Sequence, residues 1–165
     1  MDTAIFLSLA LACAPHVHIE TAQALVAIES SFNPWAIGVV GARLERQPGN
    51  EAEAVATARA LQEGGWNFSV GLAQINVGNL ARLSLTLEEG FDPCRNLTAM
   101  QSVLLSCFDR ARAADRASTS QTSLRQALSC YYSGNFVTGQ REGYVNRIAR
   151  VVATQRRSDL PRNVK

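Results

Sequence analysis

The stretch Thr21-Ala22-Gln23-Ala24-Leu25-Val26-Ala27-Ile28-Glu29-Ser30-Ser31-Phe32-Asn33-Pro34-Trp35 reads as a helix that buries one face and carries a carboxylate on that same face. Ala22, Leu25 and Val26 fall on one helical stripe, and Glu29, at i+7, i+4 and i+3 from them, falls on it too. Asn33-Pro34 stops the helix, because proline disfavours helical geometry in the residue before it and has no N–H to donate. Glu29 is therefore expected in the last turn. Two effects there push its pKa upward: apolar neighbours remove water from the charged form, and the negative end of the helix dipole opposes a negative charge. A general acid needs such a retained proton, and tuned carboxyl acids reach about 6 to 7. The plainer alternative is a glutamate turned outward at a frayed helix end or paired with an arginine. The helix alone favours that alternative, since most helical glutamates are solvated.

Around this stretch lies a chain of 165 residues and net charge +2, the size of one domain with one sizeable core. Hydrophobic content of 47% against 18% charged excludes wholesale disorder. Sixteen basic against fourteen acidic residues are too evenly balanced for a nucleic-acid-binding stripe, so no nucleic-acid partner is expected. The apolar run Ala4 to Ala14, interrupted by Ser8, falls short of the roughly twenty residues that span a bilayer. Asp2 stands where a leader would be basic, and the run reads as a first helix packed on the core.

Cys13, Cys94, Cys107 and Cys130 are an even set, which suits an oxidising compartment. A Cys94–Cys107 bond is excluded if the intervening residues are helical, since thirteen of them rise about 20 Å and a disulfide spans about 6 Å between Cα atoms. Cys13 then pairs with Cys94 or Cys107, and Cys130 takes the other; four buried thiols are the alternative. No metal site is expected, because there is no Cys-x-x-Cys pair and both histidines, His16 and His18, sit together beside Pro15. No cofactor is expected either. Between residues 38 and 66, Arg43-Leu44-Glu45-Arg46 reads as a short strand and Asn50 with Glu53 as a helix cap, with Val55, Ala58 and Leu61 on the apolar face that follows. Helices are expected near 4–13, 20–32, 50–63, 94–112, 123–131 and 141–154, with a short hairpin around 38–46 and 67–76 and a loop at 113–122. Met100 and Phe108 are assigned to the core of the fourth helix, and residues 156–165 to a basic, disordered tail after a domain of residues 1–155.

Four segments in order resemble the lysozyme-like lytic transglycosylases. The run Glu29-Ser30-Ser31-Phe32-Asn33-Pro34-Trp35-Ala36 resembles their first motif, in which the glutamate is the catalytic acid. Gly71-Leu72-Ala73-Gln74-Ile75-Asn76 is similar to the second, Cys130-Tyr131-Tyr132-Ser133-Gly134-Asn135 to a variant of the third, and Tyr144-Val145 with Ile148 to the closing tyrosine segment. Cys13-Ala14-Pro15, the long insert up to Gly71, and Phe91-Asp92-Pro93-Cys94-Arg95-Asn96-Leu97 resemble the subgroup that accompanies type IV secretion systems. The likeness runs from about Phe6 to Val152. It implies a mainly α, α+β lysozyme-like fold, a single helical domain with a substrate groove, acting as a monomer on peptidoglycan glycan strands in the periplasm of a Gram-negative envelope, beside secretion-system assembly proteins.

Ordinary glycosidases use two carboxylates, yet within the four motifs Glu29 is the sole acidic residue. One carboxyl suffices if the sugar's own 6-hydroxyl attacks. The resemblance implies that reaction: cleavage of the β-1,4 bond between N-acetylmuramic acid and N-acetylglucosamine with formation of a 1,6-anhydro end. Gln74 offers donors and an acceptor that match acetamido and hydroxyl groups, or else ties two loop backbones together. Tyr131 is placed to orient the carboxylate, and Tyr144 is either a second groove tyrosine or a core residue with a wet hydroxyl. Ser30, Ser69 and Asn76 complete the expected orienting set. Tyr132 departs from the family, which has asparagine after the tyrosine. The alternatives are a hydrolytic muramidase on the same fold, a non-catalytic wall-binding or assembly component, and, more remotely, a cysteine hydrolase.

Overall fold

In the computed structural model, which describes residues 1–158, Asp2 starts α1 (Thr3–Cys13) by accepting the N–H of Ala4 at 2.8 Å. Phe6 and Ala10 are the buried residues of this helix, which meets α2 (Ile19–Ser30). The chain divides into two compact units, residues 1–102 and residues from Val103 onward, with the boundary inside α4 (Pro93–Ala114). Among the described residues the architecture is mainly helical, with one small antiparallel sheet of order β1-β2-β3.

In the first unit, β1 (Ile37–Val39) pairs with β2 (Phe68–Val70), and β2 pairs with β3 (Ile75–Asn76). The strand expected at 43–46 is not there; β1 forms earlier, and Gln47 occupies the position beside it. Its amide oxygen accepts from Ile37 N at 2.8 Å and its Nε2 donates to Ile37 O at 2.9 Å, closing an edge that would otherwise be open to another strand. Between β1 and β2 lies α3 (Glu51–Glu63), where Asn50 accepts from Glu53 N at 2.9 Å as the cap spacing requires. The reciprocal bond differs from the expected box: Glu53 accepts from Gly49 N, and this bond with the Arg46 guanidinium holds its carboxyl below the ordinary range. Single 3-10 turns at Val77–Asn79, Ala81–Leu83 and Glu89–Phe91 lead into α4.

One buried side chain locks these segments together. Asn96, with no exposed surface, donates from Nδ2 to Val70 O at 3.0 Å and to Gly90 O at 2.7 Å, and its Oδ1 accepts from Ala73 N at 2.8 Å. Gly71 (φ 78°) passes so close that a Cβ there would come within 2.3 Å of the Asn96 Nδ2. Phe68, Val70, Leu72, Phe91, Leu97 and Met100 bury completely around it. The start of α4 is also tied to α1: Cys13 and Cys94 form a disulfide, Thr98 Oγ1 donates to Cys13 O at 2.9 Å, and Gln101 accepts from His16 N at 2.7 Å.

In the second unit, α4 runs to Ala114 and α5 (Ser120–Ser133) begins earlier than expected, because Thr119 caps it by accepting from Thr122 N at 3.1 Å. Phe108 is half-buried, outside the core assigned to it, whereas Leu104, Cys107 and Ala111 are buried. A second disulfide joins Cys107 to Cys130, so of the two open pairings the structure has Cys13–Cys94 with Cys107–Cys130. The four-residue α6 (Thr138–Arg141) was not expected; Asn135 Oδ1 accepts from Val137 N and Thr138 N at 3.0 and 2.8 Å and sets its start. Gly139 lets α6 approach α5, since a Cβ would meet Ser129 Cα at 2.8 Å. In α7 (Tyr144–Ser158), Tyr144, Val145 and Ile148 are buried and Val151 and Val152 half-buried. Arg156 and Arg157 are therefore helical, and the rest of the expected tail, residues 159–165, lies outside the described residues.

Asn96→Ala removes three hydrogen bonds to backbone groups at once; at about 1 kcal/mol for each, urea denaturation should show a loss of about 3 kcal/mol. Peptide mapping without reductant should recover both disulfide-linked pairs. By the chain-entropy relation, separations of 81 and 23 residues make Cys13–Cys94 worth about 4.5 kcal/mol and Cys107–Cys130 about 3.4 kcal/mol, so the double-serine variant of the first pair should unfold at the lower urea concentration.

Candidate active site

Ala22, Leu25 and Val26 are buried to 1%, 0% and 0% exposure, so the stripe that carries Glu29 does face the core of the first unit. Glu29 itself is half-buried and is the penultimate residue of α2. The helix ends two residues before the expected point: Ser31 (φ 52°) and Phe32 (φ 62°) both adopt the left-handed conformation ahead of Asn33-Pro34. Such geometry is costly for a bulky residue and persists where surroundings enforce it. Here Phe32 sets its ring edge-on to buried Phe6, centroids 5.1 Å apart, and Asn33 N donates to Ser30 O at 3.0 Å. Ser30, expected near Glu29, turns its hydroxyl back to Val26 O, one turn earlier in its own helix, at 3.3 Å.

The segment after Glu29 is bound directly to the second motif. Ala36 O accepts from Gly71 N at 2.9 Å and from Gln74 Nε2 at 3.0 Å, and the same Nε2 donates to Gly71 O at 3.0 Å. Gln74 also has a left-handed backbone, φ 50°, so three of the four non-glycine residues with positive φ among those described belong to the first two motifs. Its amide oxygen lies over Gly38, where a Cβ would come within 2.6 Å. Gln74 thus ties two loop backbones, the plainer of the two roles its sequence position suggested. Both amide N–H groups are engaged.

The strand register lines up Gly38, Ser69 and Asn76 across the sheet. Because Phe68 and Val70 are buried and Ser69 half-buried, this row faces away from the core. Asn76 uses its amide locally: Nδ2 donates to Asn67 Oδ1 at 2.7 Å, and Oδ1 accepts from Gly78 N at 3.0 Å to cap the following 3-10 turn. Ser69 stands in the middle of the row, beside the Gly38 that carries the Gln74 amide.

Tyr131 and Tyr144 belong to the second unit. Tyr131 is half-buried on α5, directly after the disulfide-bonded Cys130. Tyr144, at the start of α7, is 2% exposed. Sequence reasoning did not find the partner it has there: the Tyr132 ring stacks on it with centroids 4.6 Å apart and planes at 21°. Nor did it single out Asn96 or Gln47. A lone buried amide or edge glutamine carries no local signal, because its partners lie 6 to 26 residues away in sequence for Asn96 and 10 for Gln47.

Among the described residues no cluster of His, Cys, Asp and Glu side chains has the arrangement of a metal site. Comparison with known proteins bears on the same segments. The chain is 46% identical over 151 residues to a protein of Brucella abortus (strain 9-941) named type IV secretion system protein virB1, covering 90% of this chain and 63% of that protein. It is 35% identical over 150 residues to protein virB1 of Agrobacterium fabrum (strain C58), covering 90% and 59% respectively. The chain thus spans about three fifths of the length of these relatives. No solved structure matches at a significant level. Residues 6–150, which include all four motifs, match the Transglycosylase SLT domain, and the chain belongs to that family.

Proposed function

We propose that this chain is a lytic transglycosylase that cleaves the β-1,4 bond between N-acetylmuramic acid and N-acetylglucosamine in peptidoglycan, with Glu29 as its single acid and base. The observation that carries this reading is a half-buried carboxyl in the last turn of α2, within the first motif of a matched SLT domain. Partial burial and the helix C-terminus both disfavour the anion, so Glu29 begins as the acid. It donates its proton to the glycosidic oxygen as the bond breaks. The 6-hydroxyl of the muramic acid residue then attacks the anomeric carbon, and the Glu29 carboxylate accepts the hydroxyl proton. The product is a 1,6-anhydro end, and the acid is regenerated without water.

Asp92, Glu142 and Glu45, which lie outside the four motifs, have no part in this one-carboxyl mechanism. Asp92 accepts from Arg95 N at 2.8 Å at the start of α4, Glu142 accepts from the Tyr132 hydroxyl at 3.0 Å, and Glu45 is exposed. In this reading the Gln74 acceptor and Ser69 orient the sugar, Ser30 and Asn76 hold the surrounding backbone, and in the second unit Tyr131 is an orienting group and Tyr144 a core residue. Residues 1–155 form the catalytic domain. The names of the relatives support a type IV secretion setting; in this reading the chain opens the wall locally in the periplasm for the passage of the apparatus.

Digestion of purified sacculi, with sugar termini identified by mass spectrometry, tests the reaction. Glu29→Gln should lower the rate of anhydro-end formation by about a hundred- to ten-thousandfold with an unchanged melting temperature. Anhydro ends formed at the parent rate would remove Glu29 from its role; reducing ends from the parent would make the protein a muramidase, and wall binding without cleavage a non-catalytic component. Gln74→Ala breaks two bonds from the amide to backbone carbonyls. It should therefore cost about 1 to 3 kcal/mol of stability as well as turnover, and Gln74→Glu, which loses the donors but keeps the shape, should do the same.

A further inference from the structure

We propose that the outward face of Tyr132 is a stacking platform for an N-acetylhexosamine ring of the glycan, a subsite that takes its ligand's identity from the transglycosylase reading. Tyr132 is 42% exposed, unusual for a large aromatic side chain whose ring is also fixed on two sides. One face lies on Tyr144 at 4.6 Å and 21°, and the hydroxyl donates to Glu142 Oε2 at 3.0 Å. Tyr144 is itself immobile in the core at 2% exposure, with the Arg147 guanidinium 5.8 Å from its ring centroid. With one face on Tyr144 and the hydroxyl bonded to Glu142, this exposure leaves ring surface for a ligand. A ring whose rotamer is already set loses little freedom when a ligand covers it.

The chemistry of that face suits a sugar. A β-linked pyranose presents flat arrays of C–H bonds, which the negative face of an aromatic ring attracts, and its equatorial polar groups point to the edges. At the hydroxyl edge of Tyr132 stands the Glu142 carboxylate, itself 3.7 Å from the Arg141 guanidinium, an acceptor and a donor for hydroxyl and acetamido groups. A phenol of this kind, apolar in body and polar at its tip, is the side chain that binding surfaces favour for rigid contact. The residue that departs from the third motif of the family thus exchanges an amide's hydrogen bonds for an aromatic surface. On this account, Tyr132 determines which sugar ring is held and how firmly.

The test uses the full chain carrying Glu29→Gln, so that binding is read without turnover, and chitotetraose as the probe. Isothermal titration should show Tyr132→Leu and Tyr132→Asn weakening binding about tenfold or more, with Tyr132→Phe close to the parent because it keeps the ring. In the parent, the Tyr132 ring resonances, assigned by their loss in Tyr132→Phe, should shift on addition of sugar; this readout needs no destabilised variant. Equal affinity in Tyr132→Leu, or ring resonances that do not move while sugar binds, overturns the platform and leaves the transglycosylase reading intact. Failure of the Glu29→Gln parent to bind chitotetraose at all counts against the glycan reading itself.

Discussion

The amide of Asn96 satisfies backbone groups from three separate segments: the end of β2, the turn that follows it, and the 3-10 turn before α4. Inside a dry core such a group is favourable when fully paired and costly when half paired, so its partners are held to one geometry. That geometry propagates. It requires glycine at 71, whose N–H reaches Ala36 O, and the amide of Gln74, whose backbone is left-handed, reaches the same carbonyl. Ala36 lies seven residues beyond Glu29. A fully buried, uncharged side chain with no part in chemistry therefore fixes the second motif against the segment that leaves the candidate acid.

The first turns of α4 gather the remaining restraints. Asp92 accepts from Arg95 N, Cys94 is bonded to Cys13, Asn96 holds the β2–β3 turn, and Thr98 reaches Cys13 O. A helix anchored at one end by a covalent link, a cap and a buried amide acts as a rigid base, and loops built on it inherit its precision. Hydrophobic burial alone would not place a loop this closely, since it is non-directional. The polar bonds supply direction.

Much of this was legible in the chain, and the exceptions share a cause. α2 and α4 carry apolar residues at three- and four-residue spacing, and Glu29 was visible because it interrupts such a stripe. By contrast, α6 is four residues long and β3 two, too short for any period to show. The expected strand at 43–46 had β-forming residues but no partner, whereas β1 at 37–39 exists because β2 lies alongside it and Gln47 closes its other edge. The disulfide pairing was narrowed by helical rise but decided by how α1 meets α4. At the site, residue types were legible and their duties were not. Gln74 and Asn76 were expected as ligand-binding amides, and in the structure these amides bond to Ala36, Gly71, Asn67 and Gly78.

The half-burial of Glu29 has a consequence for the proposed chemistry. A carboxyl sealed in the core could hold a proton but could not pass it to a glycosidic oxygen. One in bulk water would have lost it before substrate arrived. Between these limits the helix end matters, because its negative dipole disfavours the anion without requiring that solvent or sugar be excluded. The left-handed pair Ser31 and Phe32 ends the helix directly behind Glu29 and Ser30, and Phe32 is held there by its ring against Phe6. Strain of this kind must be offset by surrounding contacts, and here those contacts also set where the dipole ends. In the proposed mechanism, then, the point at which α2 stops is part of what equips Glu29 to act as the acid.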